Sequence, residues 1–295
     1  MEELSGRALQ KVCAVCCMSG GYKSVFTQGV LQAFEEHGFR AAAYAGCSSS
    51  ALIAAFAACG RESRHDLSMW HIGYQMSLTR GNSQSEAMLD AIQGAAPELF
   101  SHLWRPSSSR LLIATTLVTT LEGASITQGP GARRFGQRLL IEALRRQTAW
   151  RDGNLQLRMF DTRSSGETEM LSPANFEQVA YASTRMLHAW DIPAEIDGCP
   201  YIDGSYTCLC PVLPMAALGY DRIIAILTET EDLRVDLFSA ERVPERYGSA
   251  QITFIRPDID LKRLGVSHYA VTEEGLDRAF RHGYEKGARF IETYE

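Results

Sequence analysis

Between residues 11 and 60 the chain runs twice through one pattern: a short apolar segment, a turn of glycine and serine, then a helical stretch. Residues 11–18 form the first apolar segment and end at Ser19-Gly20-Gly21. Residues 24–36 follow with Val25, Val30, Leu31 and Phe34 at helical spacing, and Gly38 closes them. Residues 41–45 are the second apolar segment and Gly46-Cys47-Ser48-Ser49-Ser50 the second turn. The Ala-rich residues 51–59, closed by Gly60, are the second helix. A strand apolar at every residue is covered on both faces, and serial strand–helix units set their strands parallel. The pattern therefore predicts an α/β fold with a mainly parallel central sheet.

Further strands are expected at 111–120, 155–160, 201–204, 222–227 and 251–255, and helices at 85–92, 133–146, 176–186 and 273–292. Residues 162–168 read as a polar loop. No repeat, low-complexity tract or linker interrupts the chain, so one domain over residues 1–295 is the simplest organisation. The arginine-bearing helix at 133–146 is expected to dock through Phe135, Leu139, Leu140 and Leu144 with its charges in water. Membrane contact is the alternative use of such a helix.

The chain has 295 residues, 45% of them hydrophobic, and a formal net charge of −6. That size supports a core without disulfide or metal staples. The acidic balance excludes a general nucleic-acid binder and, local basic patches aside, a purely electrostatic binder of anionic lipid. Cys13 and Cys16 make a C-x-x-C with Cys17 beside them, but Val12, Ala14 and Val15 surround them and no second C-x-x-C follows. They read as small hydrophobes of a buried strand rather than zinc or redox ligands. The polar start of the chain lacks the features of a secretory signal, and no apolar run approaches the roughly 20 residues that span a bilayer. A cytoplasmic protein with free thiols, and with no metal or cofactor, is expected. The sequence carries no signal of its oligomeric state.

The second turn has the setting of a nucleophile elbow, in which a sharp strand-to-helix turn lifts one serine hydroxyl above the sheet. Small neighbours are needed there; Gly46 meets that need, and Ser50 stands where the usual final glycine would. Ser-rich turns also simply cap helices. A nucleophilic serine requires a base and donors for an oxyanion. The first turn, Ser19-Gly20-Gly21-Tyr22-Lys23, can offer backbone N–H groups at a helix start. A phosphate cradle is the competing use, but neither the dinucleotide nor the P-loop spacing is present. Among the seven histidines, His268 is best placed as a late triad base and His188 could line a pocket, yet nothing around either is diagnostic. Asp203 is the better base, because it closes a short strand and precedes the turn Gly204-Ser205. An Asp-Gly turn without chemistry is its plain alternative.

Taken together, these segments resemble the patatin-like phospholipase family. Its oxyanion loop G-G-G-x-[KR]-G is matched by Ser19-Gly20-Gly21-Tyr22-Lys23-Ser24, followed by Gly29-Val30-Leu31. Its G-x-S-x-G elbow is matched by Gly46 to Ser50, and its D-G-[GA] motif by Asp203-Gly204-Ser205. Ala180-Tyr181-Ala182-Ser183-Thr184, Asp197-Gly198, Pro211-Val212 and Leu218-Gly219-Tyr220-Asp221 recur in family order. The likeness covers roughly residues 12–228, and three motifs in order are far more specific than one.

The resemblance implies a three-layer α/β/α sandwich and a Ser–Asp dyad without histidine. Ser48 would be the nucleophile and Asp203 its base, with the N–H groups of Gly20, Gly21 and Tyr22 holding the oxyanion. Lys23 would steady the loop or attract an anionic head group, while Gly46, Ser50 and Gly204 support the motifs. Substrates would be phospholipids, other acyl lipids or simple esters, with transient membrane-surface contact. Ser19, Ser24, Ser50 and Ser205 stand where the family has glycine or another small residue. Those departures keep a second expectation open, a weakly active or inactive lipid- or partner-binding protein on the same fold.

Overall fold

The two strand–turn–helix units fold as β1 (Cys13–Cys17), α1 (Ser24–Glu36), β2 (Ala43–Cys47) and α2 (Ser50–Cys59). A computed structural model describes residues 13–62, 66–78, 84–164 and 166–294. Next come α3 (Ser68–Leu78), α4 (Gln84–His102), β3 (Arg110–Val118), α5 (Leu121–Gln128), α6 (Ala132–Leu144) and α7 (Ala149–Asn154). β4 (Leu155–Asp161), β5 (Glu169–Met170), α8 (Phe176–Thr184), β6 (Ala194–Ile196) and β7 (Cys199–Ile202) follow. α9 (Val212–Ala217), β8 (Arg222–Ile226), β9 (Arg246–Tyr247), β10 (Ala250–Ile255) and α10 (Glu273–Thr293) complete the order.

The central strands β3-β2-β1-β8-β10 are parallel, whereas β4 and β7 run antiparallel to β3 and β9 to β10. Cys13, Val15 and Cys17 of β1 pack into the core beneath α1, α2, α4, α8 and α10. Ala14 and Cys16 point to the opposite face, where Cys208, Val212, Met215 and Leu233 cover them. α6 packs in a third cluster, with Ile202, Tyr206 and Phe238. Every residue of β1 is buried, as the unbroken apolar pattern requires. α10 reaches back to α1 at close range, and a Cβ on Gly283 would lie 2.0 Å from the Phe26 carbonyl oxygen. Among the described residues no helix is long and apolar enough to cross a membrane.

Two expectations change. α4 continues past residue 92 to His102 with Pro97 inside it, because Ile92, Ala96 and Leu99 keep one apolar line against the core. α6 docks through Ala132, Phe135, Gly136, Leu139 and Ala143, and Leu144 is 80% exposed. Successive helical residues differ by about 100°, so burying Ala143 turns Leu144 outward.

The register of β3 explains how two distant residues meet. β4 holds one edge of β3 over residues 112–118. β2 and β7 share the other edge, with Cys47 opposite Ala114 and Ile202 opposite Thr116, and they run toward each other. The residues just beyond their ends are Ser48 and Asp203. β1 and β8 lie side by side although β2 and β3 were laid on the other side of β1. The loops after β1 and β8 therefore emerge at a topological switch point, the usual place for a site in such sheets.

Candidate active site

Ser48 has a left-handed backbone, φ +56°, a conformation that costs a non-glycine residue about 1–2 kcal/mol. Hydrogen bonds hold it there. Its N–H donates to Ser183 Oγ at 2.8 Å, and Ser183 Oγ in turn donates to the Ala114 carbonyl at 2.8 Å. Its own carbonyl accepts from the Ala51 N–H at 2.9 Å. No side chain fits at Gly46, where a Cβ would meet Ala51 Cα at 2.6 Å. This contact is what lets the all-buried, Ala-rich α2 start so close to β2.

Ser48 Oγ donates to Asp203 Oδ2 at 2.8 Å. Asp203 is fully buried. Its other oxygen, Oδ1, accepts from the N–H of Ser205 at 2.8 Å and from Ser205 Oγ at 2.5 Å. The Asp203 backbone is fixed as well: its N–H donates to the Arg185 carbonyl at 3.0 Å and its carbonyl accepts from Thr116 Oγ1 at 2.8 Å. Gly204 passes so near β3 that a Cβ would lie 2.5 Å from the Ala114 carbonyl oxygen. Burial pushes the Asp203 carboxyl up to about 6, against the opposing pull of the Ser205 and Ser48 hydrogen bonds. A carboxylate tuned toward neutrality is a competent general base at physiological pH.

The serines at 24 and 50 form part of a buried hydroxyl chain. Ser50 Oγ donates to the Met18 carbonyl at 2.6 Å and lies 2.9 Å from Ser24 Oγ, which lies 2.8 Å from Ser49 Oγ. The chain ties the end of β1 to the elbow, so these hydroxyls add bonds where glycine would add none. The first turn is anchored by Ser19, whose N–H donates to the Leu209 carbonyl at 2.9 Å and whose carbonyl accepts from Thr228 Oγ1 at 2.9 Å. Among the described residues the N–H groups of Gly20 and Gly21 have no partner. Tyr22 differs from expectation: its N–H donates to the His268 carbonyl at 3.3 Å. Lys23 differs too. It is buried, and its Nζ lies 2.7 Å from both carboxylate oxygens of Glu229. Such a lysine steadies the loop and is not free to meet an anionic head group.

His268 lies over this turn without reaching the dyad. Its Nε2 is 3.3 Å from Glu229 Oε1, and burial together with the Lys23 charge holds its pKa below the usual histidine value. His188 stacks edge-on against Tyr269, with ring centroids 4.9 Å apart. Cys13, Cys16 and Cys17 are buried free thiols whose pKa values burial raises. No group of three or more His, Cys, Asp or Glu able to hold a metal occurs among the described residues.

The cleft at Ser48 has two lobes that share Gly21, Ser48, Trp190, His268 and Tyr269. One is a narrow slot of about 80 Å³ walled by Tyr22, Leu52, Met69, Trp70, Met88 and Ile92. The other is a wider cavity of about 360 Å³ that reaches Asp203, Ser205, Glu229, Glu231, Asp232 and Arg234, with Leu140 and Leu237 on its wall.

No family model and no curated protein matches the chain. Solved structures to which the chain is similar include the following two. VipD from Legionella pneumophila is 11% identical, with a TM-score of 0.47 over 97% of this chain and 67% of its own. The type III effector protein ExoU is 13% identical, with a TM-score of 0.39 over 96% of this chain and 53% of its own, so the chain spans about half of that protein.

Reading the residues in order did not single out Ser183, Thr116, Arg185 or Glu229. A hydroxyl that accepts from a strained amide leaves no trace in spacing. Its only hint was that Ser183 lies in the segment 180–184, within the family-like pattern.

Proposed function

We propose that this protein is a serine acyl hydrolase of the patatin-like type that cleaves carboxylic esters of phospholipids or other acyl lipids. The observation that carries this reading is the 2.8 Å hydrogen bond from Ser48 Oγ to a buried carboxylate oxygen of Asp203, beside two glycine N–H groups without partners. Asp203 takes the hydroxyl proton as Ser48 Oγ attacks the ester carbonyl. The oxyanion forms against the N–H groups of Gly20 and Gly21, and each such donor is worth about 2.7–4 kcal/mol in other enzymes. Collapse breaks the ester C–O bond, and the proton held by Asp203 goes to the departing alcohol. Water then attacks the acyl-enzyme and gives a proton to Asp203; the acyl C–Oγ bond breaks, Ser48 Oγ takes that proton back, and the acid is released. The apolar slot suits the acyl chain, and the wider lobe, which carries the charged side chains, suits the alcohol part. In this reading the strands that bear the motifs and the terminal α10 work as one domain.

A second reading, a binding protein on the same fold, draws on the engaged N–H of Tyr22, which leaves two loop donors rather than three. A fluorophosphonate probe separates the two. The hydrolase reading expects covalent labelling of the wild-type protein and none of Ser48→Ala. Folded wild-type protein that resists the probe and hydrolyses no ester in vesicles or solution would leave the binding reading in its place.

A further inference from the structure

We infer that the outer face of α6 is a docking surface for an anionic lipid membrane, set beside the mouth of the cleft. Three observations carry this. First, the helix leaves apolar side chains in water: Leu144 is 80% and Ile141 49% exposed, and Leu140 is half-buried. Helical angles gather these three on one side, away from the buried line of Phe135, Leu139 and Ala143. Second, exposed arginines flank that stripe. Arg133, Arg134, Arg138 and Arg145 all face solvent on α6 or at its end, and the lone carboxylate on the helix, Glu142, is paired with Arg138 at 2.8 Å. A cationic helix face with an apolar stripe fits the boundary between acidic head groups and acyl chains. Third, the stripe is continuous with the cleft, because Leu140 also walls the wider lobe that reaches Asp203. Acids on the same lobe do not oppose the patch unscreened, since Asp232 lies 2.7 Å from Arg242 and 3.1 Å from Arg256, and Glu231 lies 3.9 Å from Arg234.

The net charge of −6 disfavours acidic lipid for the molecule as a whole, so attraction at α6 would also orient the protein. The inference rests on the hydrolase reading for its purpose, as a cleft of that kind must open toward the lipid it cleaves. The binding itself is independent of that reading.

The test uses the full chain with vesicles of phosphatidylcholine alone and of phosphatidylcholine mixed with phosphatidylserine. Two double variants are compared with wild type, Ile141→Ser with Leu144→Ser, and Arg134→Glu with Arg145→Glu. All four positions are exposed, so folding should survive, and thermal melts check it. Wild type should cosediment with the anionic vesicles and release them as salt is raised. Each double variant should bind at least about tenfold more weakly while hydrolysing a water-soluble short-chain ester as wild type does. Equal binding to both vesicle types, binding to neither, or undiminished binding by both variants overturns the inference. A wild-type dimer that the Ile141/Leu144 variant dissolves also overturns it, because the face would then be a protein interface. Vesicle binding without any Ser48-dependent hydrolysis would uphold the docking surface and remove the hydrolase reading instead.

Discussion

The two sides of Ser48 are built in different ways. On the Asp203 side, parts come from the middle of the sheet: β2, β3, β7 and α8 supply the bonds, and each fixed group is buried. On the glycine side, the loop depends on two late segments, Glu229 after β8 and the turn at 265–271 that carries His268. One side is set by strand register and cannot shift without breaking the core. The other is set in part by contacts between loops, Lys23 with Glu229 and Tyr22 with the turn at 265–271, and no strand register fixes those. In the proposed mechanism the nucleophile and base would therefore be preassembled, while the donors for the oxyanion would be positioned from the periphery.

The largest loss is expected from a change on the Asp203 side. Asp203→Asn should lower hydrolysis by about a thousandfold or more, the scale of a lost general base. It should also stabilise the protein at alkaline pH. Folding raises the carboxyl from 3.8 to about 6, so the native state holds its proton more tightly than the unfolded chain. Stability therefore falls as pH rises from 3.8 to 6, and the whole penalty persists above that window. The shift corresponds to about 3 kcal/mol. Asparagine carries no such charge, so the variant should gain about 2–3 kcal/mol at pH 8 and little at pH 4. Urea melts at both values check this. Wild-type turnover by the variant would mean another base, and equal stability at both values would mean a carboxylate that is not desolvated.

A smaller loss is expected from the peripheral side. Gly21 has φ +56°, and a Cβ there would lie 2.1 Å from the His268 carbonyl oxygen. Gly21→Ala must push the turn at 265–271 away or rotate the loop, and either misaligns an oxyanion donor. A loss of about a hundredfold in kcat is expected, with KM little changed. Gly198 is the control, because it also has positive φ, +75°, but nothing within 4 Å. Gly198→Ala should cost about 1 kcal/mol of stability and no activity. Equal kinetic effects at both sites would show that the contact with His268 does not shape the loop.

The same division governs what could be read from the residues alone. The strand–turn–helix units were legible because an unbroken apolar strand and an Ala-rich helix each leave a pattern. The observed α1, Ser24–Glu36, coincides with the stretch expected, and β2 and α2 fall within a few residues. Ser48 and Asp203 were legible as residues at strand ends. Their meeting was implied by the family resemblance alone and not by local pattern, because it depends on β2 and β7 sharing one edge of β3, and edge sharing has no local signature. Nor could spacing reveal that Lys23 would be buried against Glu229 or that Tyr22 would give its N–H to His268. Those are contacts across more than two hundred residues, made by loops whose own sequences are unremarkable.

The least disruptive change sharpens the account of the preassembled side. Ser205 gives Asp203 Oδ1 two donors and leaves Oδ2 to Ser48. Both donors favour the charged carboxylate and oppose the effect of burial. Ser205→Ala removes the hydroxyl and keeps the N–H, so Asp203 should stay protonated to higher pH. The acid limb of the kcat/KM profile should move upward by about one pH unit, with activity on the alkaline side nearly unchanged. Cys47, Tyr206 and Tyr269 also face Asp203, but burial raises all three, so they remain neutral through that range. His268, across the cleft, is the other ionisable side chain to separate out, its pKa lowered by burial and by the Lys23 charge. The shift must therefore persist when Ser205→Ala is combined with His268→Asn. Ser205→Thr, which restores a hydroxyl, should return the limb toward the wild-type position. A limb unmoved in Ser205→Ala would mean that the Ser205 hydroxyl does not set the basicity of Asp203, and a limb that follows His268 would transfer the titration to the peripheral side.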